Sequence, residues 1–253
     1  MPPPPTRARH PVARLAFLLW GLAADLAVFL CTLGFATGAI IGTFVTRKGW
    51  PADLMGRYWG RSILAACGIR LDVQGLDQLD PHQGYVLISN HMSNFDVFSI
   101  ISLPINVHFV AKKELLRIPV FGRALTLSNH IMIDRAKPEE AIAEINRRVA
   151  ARLGEGFGVL FFAEGTRSAD GQVKAFKKGG VSLALQTGLP VVPLSISGTR
   201  KFLPRKAVII QPHGRVRIVL GTPIATAGLS LDQRDELNET VRKIIVANYV
   251  ADY

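Results

Sequence analysis

The stretch YVLISNHMSNFD, residues 85–96, decides the fold. Tyr85 to Ser89 is an apolar run of strand length, and the polar residues after it end the run abruptly before a second apolar stretch begins. A strand, a turn and a helix start follow one another here. Comparable runs recur at Val107 to Ala111, Ile131 to Asp134, Val159 to Ala163, Val191 to Ser197, Val208 to Gln211 and Val216 to Leu220. Between and after them lie helix-length segments. Pro138 to Leu153 carries a proline and two glutamates at its start and arginines at its end, as the helix dipole favours. Gly179 to Thr187 and Leu231 to Tyr249 read as further helices. Strands alternating with helices predict an α/β layered domain, with a central mixed sheet because the last two apolar runs flank His213-Gly214-Arg215 like a hairpin.

The same stretch carries chemistry. An imidazole takes and returns a proton near neutral pH, and a carboxylate on its far nitrogen fixes the tautomer. His91 and Asp96 are five apart, about 500° of helical rotation, so they meet only with His91 in the turn and Asp96 in the first turn of the next helix. On spacing alone, Ser93-x-x-Asp96 also fits a plain capping box with His91 as a loop histidine. A second cluster, FAEGTRS at 162–168, follows the run Val159 to Ala163. It sets Glu164, Gly165, Thr166 and Arg167 at a strand's carboxyl end, where open α/β sheets bind ligands. Arg167 suits bidentate phosphate binding, and Gly165 permits close approach of the backbone. A surface turn with a solvated arginine is the alternative.

The totals narrow the setting. With 253 residues the chain holds one well-cored domain and an appendage. A net charge of +11 and a pI near 10.1 favour anionic partners. The basic residues are scattered rather than massed, and 49% of residues are hydrophobic, so nucleic acid is not expected and an anionic membrane surface is. Two cysteines, Cys31 and Cys67, make neither a disulfide framework nor a thiolate metal site, in keeping with a reducing compartment. The remaining histidines show no ligand-like spacing, and no metal is expected.

Leu15 to Val45 is a 31-residue apolar segment with one charge, Asp25. It is too long for a signal peptide's apolar core, and as one straight helix of about 46 Å it overruns the ~30 Å hydrocarbon layer. Basic residues on both flanks place both ends on the cytoplasmic side, which predicts two short helices meeting near Thr32 to Gly42, where Gly34, Gly38 and Gly42 fall. The same three glycines also fit a small-xxx-small seam on one packed helix. The expected division is a membrane-associating segment at 1–50 and a catalytic domain at 51–253, at the inner membrane with the catalytic domain facing the cytoplasm.

Read jointly, Asn90-His91-x-Ser93-x-x-Asp96 and Phe162-x-Glu164-Gly165-Thr166-Arg167-Ser168 resemble the two motif boxes of the glycerolipid acyltransferase family, most closely its bacterial 1-acylglycerol-3-phosphate acyltransferases. The resemblance runs from about Gln83 to Gly198. Ala111-Lys112-Lys113-Glu114-Leu115 is similar to the family's basic segment, Ile133-Asp134-Arg135 to its arginine motif and Val192-Pro193-Leu194 to its final block. Ala163 replaces the family's usual proline, Asn129 its glycine and Met132 its phenylalanine.

The resemblance implies transfer of an acyl group from acyl-CoA or acyl carrier protein to the sn-2 hydroxyl of lysophosphatidic acid, giving phosphatidic acid, with no cofactor beyond the donor. It implies His91 as the base oriented by Asp96, Arg167 with Lys112 and Arg135 as phosphate ligands, and Glu164 against the glycerol. Ser93 is expected to cap a helix. Rival readings are another acceptor, such as lyso-ornithine lipid, a hydrolase, and an inactive membrane lipid-binding protein.

Overall fold

The computed structural model describes residues 11–134, 136–152 and 154–253. Two helices come first, α1 (Pro11–Thr46) and α2 (Trp50–Ala66), then β1 (Ile69–Gln74), β2 (Val86–Ser89), α3 (Phe95–Ile101), β3 (Val107–Lys112), α4 (Phe121–Leu127) and β4 (Ile131–Ile133). The chain continues through α5 (Pro138–Ala150), β5 (Gly158–Phe162), α6 (Gly179–Thr187), β6 (Val191–Ser197), β7 (Gly214–Leu220) and α7 (Arg234–Asn248).

The strands form one seven-stranded sheet in the order β1-β7-β6-β2-β5-β3-β4. Strands β6, β2, β5, β3 and β4 run parallel, while β7 pairs antiparallel with β6 and parallel with β1. The mixed sheet is as expected, but its reversal is not the expected hairpin. Val208 to Gln211 is loop, and β7 takes its partners from β6 and from β1, an edge strand absent from the expectation.

Side-chain alternation sends the central strands' residues to opposite faces. Leu87, Leu160, Leu194 and Ile196 join Ile63, Leu64, Phe95 and Phe98 of α2 and α3 on one side. Val86, Ile88 and Val159 join Ile145, Val181, Val241 and Ile245 of α5, α6 and α7 on the other. Burial on both faces explains why β2, β5 and β6 read as unbroken apolar runs. Fully buried leucines and isoleucines such as Leu87, Ile88 and Leu194 each contribute roughly 1.5–3 kcal/mol to the fold.

The apolar N-terminal segment is one continuous helix. A helical hairpin is present, but its turn falls at Arg47 to Gly49, with Arg47 in the left-handed region at φ 57°, and its second arm is α2. The glycines near the expected break serve packing instead. A Cβ on Gly42 would lie 2.9 Å from Pro51 Cβ, and one on Gly38 would lie 3.3 Å from Met55 Sδ, whereas Gly34 faces open space. Ala36 and Ala39 of α1 meet Ala52 of α2 and Ala124 of α4, and the indole N–H of Trp59 donates to Thr32 Oγ1 at 3.0 Å. Farther toward its N-terminus, Ala24 enters the core beside Cys67 and Ile210.

Candidate active site

Parallel alignment of β2, β5 and β3 brings their carboxyl ends side by side, and the chain leaves each of them into a functional turn. After β2, residues 90–94 curl into α3. Asn90 is fully buried and locks this turn to β6, its amide donating to Ile196 O and its oxygen accepting from Ile196 N, both at 2.9 Å. His91 and Asp96 then meet as the strand-to-helix turn requires, with Nδ1 2.7 Å from Asp96 Oδ2. The same carboxylate oxygen accepts the backbone N–H groups of Met92 (2.6 Å) and Ser93 (2.9 Å). A carboxylate only accepts, so Nδ1 carries the hydrogen and Nε2 is the nitrogen left with a lone pair. The ring stacks on Phe162 at 3.9 Å between centroids and 14° between planes, which fixes its tilt.

The capping box is only half formed. Asp96 receives Ser93 N, but the Ser93 hydroxyl accepts weakly from Phe95 N and donates to Leu203 O at 2.9 Å. Fully buried and so engaged, Ser93 does not face the cavity.

After β5, Glu164 sits almost buried with one oxygen on His91 N (2.9 Å) and the other on Lys174 N (3.2 Å). It ties the two motif turns together through backbone, and burial pushes its carboxyl above the ordinary glutamate range. Ser168 N donates to His91 O at 2.8 Å as a second tie. Gly165, at φ 71°, turns the chain where a Cβ would lie 2.8 Å from Lys177 Cε. Ala163 adds a bond that a proline there could not supply, since its N–H donates to Ser89 O at 2.9 Å and prolongs the ladder. Asn129 is left-handed at φ 59°, the conformation a glycine would take, and its side chain accepts from Arg152.

These turns edge a cavity of about 360 Å³ whose lining includes His91, Lys112, Thr166 and Arg167. Its inner wall is apolar, from Trp59, Phe109, Phe121 and Leu125, and includes His130, whose buried imidazole is held neutral with its pKa pushed down to about 3, chiefly by desolvation and secondarily by His108. Of the expected site residues, His91, Asp96, Glu164, Gly165, Thr166, Arg167 and Lys112 therefore gather at one place. Asp96 and Glu164 stand behind the cavity wall rather than in it, and Arg135 lies outside the described residues. Sequence reasoning missed Trp59, His130 and Arg205, all of which line the cavity. Only Arg205 left a trace, in the basic run from Arg200 to Lys206.

Comparison with known proteins gives the family and the overall fold. A family model described as Acyltransferase matches residues 70–197. A 1-acyl-sn-glycerol-3-phosphate acyltransferase of Limnanthes alba is 34% identical over 209 residues, covering 80% of this chain and 73% of the relative. One of Pseudomonas aeruginosa is 34% identical over 185 residues, covering 70% and 71%. The crystal structure of the 1-acyl-sn-glycerophosphate (LPA) acyltransferase PlsC from Thermotoga maritima superposes with a TM-score of 0.77 at 25% identity, over 92% of this chain and 95% of that one. With half of its length matched by the family model and its two motif turns folded against each other at the sheet's carboxyl edge, the chain belongs to the acyltransferase family.

Proposed function

We infer that the protein transfers a fatty acyl group from a thioester, acyl-CoA or acyl carrier protein, to the sn-2 hydroxyl of lysophosphatidic acid, giving phosphatidic acid. The observation that carries this reading is His91, oriented through Nδ1 by a buried Asp96, on the wall of a cavity with cations at one side and an apolar interior at the other. His91 Nε2 removes the hydroxyl proton as that oxygen attacks the thioester carbonyl. The C–O bond forms, the C–S bond breaks, and the imidazolium returns its proton to the departing thiolate. The acceptor is its own nucleophile. Arg167 and Lys112 hold the phosphate and so position the hydroxyl. Glu164 acts one step back, by fixing the backbone of His91 rather than by touching glycerol.

The apolar wall supports an acyl chain. Trp59, Ile101, Phe121, Leu125 and His130 are shared with a second, narrower cavity that runs under α1 and is lined by Thr32, Phe35, Ala36 and Ala39. α1 is long and apolar enough to cross a membrane, yet it packs along the domain from Gly21 to Gly42. Its outward face, with Leu26, Phe29, Leu30, Leu33 and Phe44, is exposed. This supports a helix lying in the interface of the cytoplasmic membrane, with residues 1–50 as the attachment segment and 51–253 as the catalytic domain beside it.

Asp96→Asn tests the mechanism. Asp96 Oδ1 is buried and meets no donor, so an amide nitrogen fits there while the oxygen keeps its three N–H partners. The fold should survive and kcat should fall by at least ~10². Turnover within a few-fold of the parent's would remove Asp96 from the mechanism.

A further inference from the structure

The loop joining β6 to β7 crosses both motif turns. Its base is closed by Gln211 N donating to Phe202 O at 2.8 Å, with a tight turn from Pro204 O to Ala207 N at 3.0 Å. Phe202 roots it in the core against Phe95, at 5.7 Å between ring centroids. The Ser93 hydroxyl holds Leu203 O at the catalytic turn, and Arg205 Nη1 donates to Arg167 O at the second turn, at 3.2 Å. On the far side Ile210 is buried in the same cluster as Ala24 of α1, and Ile209 rests where a Cβ on Gly21 would lie 2.3 Å away. The loop is held at both ends of its span, and Arg205 is thereby set at the cavity.

Lys112, Arg167 and Arg205 are three cations lining one cavity, and no carboxylate is among the described residues that line it. One N–H of Arg205 is engaged with Arg167 O, so most of its five donors remain for a ligand. A phosphate monoester carries about −1.5 to −2 charge at neutral pH and three terminal oxygens, whereas a phosphodiester carries one charge and offers two. Two cations suffice for the diester. A third is matched only by the monoester.

We propose that Arg205 is a phosphate-binding residue of the acceptor site and makes the enzyme selective for a lysolipid with a phosphomonoester headgroup over lyso-phosphodiesters. This rests on the acyl-transfer reading above. The phosphate of glycerol 3-phosphate, a soluble acceptor fragment, should bind through the same three cations.

Arg205→Gln and Arg205→Lys are compared with the parent for acylation of lysophosphatidic acid and of lysophosphatidylglycerol. Calorimetric binding of glycerol 3-phosphate needs no turnover and is measured beside it. In Arg205→Gln the KM for lysophosphatidic acid should rise at least tenfold with kcat within threefold, the constants for lysophosphatidylglycerol should change less than threefold, and glycerol 3-phosphate should bind at least tenfold more weakly. Arg205→Lys should restore part of each loss. Unchanged glycerol 3-phosphate binding would overturn the proposal whether or not the protein acylates lysophosphatidic acid. So would a fall in kcat alone, the mark of a structural brace, or a rise confined to the KM of acyl-CoA, which would give Arg205 to the donor's phosphates. A parent that binds glycerol 3-phosphate through Arg205 but acylates neither lipid would instead contradict the functional reading.

Discussion

Replacing Glu164 by Gln separates a clamp from a substrate contact. Each carboxylate oxygen of Glu164 serves one backbone N–H, His91 at 2.9 Å and Lys174 at 3.2 Å. An amide has one oxygen, so the shorter bond to His91 is kept and the Lys174 N–H is left facing an NH2 group. A hydrogen bond to a charged acceptor contributes about 1.5–3 kcal/mol; relief from burying a carboxylate offsets part of its loss, leaving a destabilisation of roughly 1–2 kcal/mol near pH 7. The pH dependence has a definite sign. Burial raises the folded-state pKa of Glu164 above its ordinary 4.5, so the native protein takes up this proton before the unfolded chain does. The parent then gains stability as pH falls from the folded pKa toward 4.5, the Gln variant gains nothing from this site, and the gap between them widens in that window. Urea unfolding in detergent at neutral and mildly acidic pH measures both quantities. In acyl transfer, kcat should fall by up to ~10-fold for Gln and ~10² for Ala, which frees both N–H groups, with the KM for lysophosphatidic acid unchanged. A raised KM with normal kcat would put Glu164 on the substrate and refute the clamp.

Two further outcomes follow from the site and from α1. Arg167→Lys keeps the charge at the cavity but loses the planar fork, so the KM for lysophosphatidic acid should rise ~10-fold in steady-state assays with little change in kcat; an unaltered KM would move the phosphate site away from Arg167. Phe29 and Phe44 are 63% and 83% exposed on the outer face of α1, so the double change to Lys should leave the circular dichroism spectrum intact. It should weaken liposome co-sedimentation by ~10² or more, since each buried aromatic contributes roughly 1.5–3 kcal/mol, and undiminished binding would place the membrane contact elsewhere.

What could be read from the sequence was local. The bounds of β6 and α6 match their apolar runs because both are buried and cleanly punctuated, α6 by Gly188 at φ 71°. The His91 and Asp96 pairing was legible because it closes within one turn. Asn129 was legible for a similar reason, its residue type announcing the left-handed backbone it adopts. Tertiary packing defeated the rest. Val208 to Gln211 is apolar because Ile209 and Ile210 seat on α1, not because it enters a ladder. Gly38 and Gly42 are small so that α2 can approach, a demand that in sequence looks the same as a helix break. β1 alternates Ile69, Leu71 and Val73 with polar residues, a legible half-buried strand, but its parallel partner β7 lies 145 residues on by the pairing of Ile69 with Gly214. Arg205 reaches the cavity only through the topology that carries β6 past both motif turns.

Transfer of labelled palmitate from palmitoyl-CoA to lysophosphatidic acid, by the parent protein and by His91→Ala, tests the central claim most directly. Phosphatidic acid formed by the parent, with a rate at least ~10² lower in the folded variant, is the predicted result. Equal rates in the two proteins, or no product from a folded parent given either acyl-CoA or acyl carrier protein donors, would contradict it.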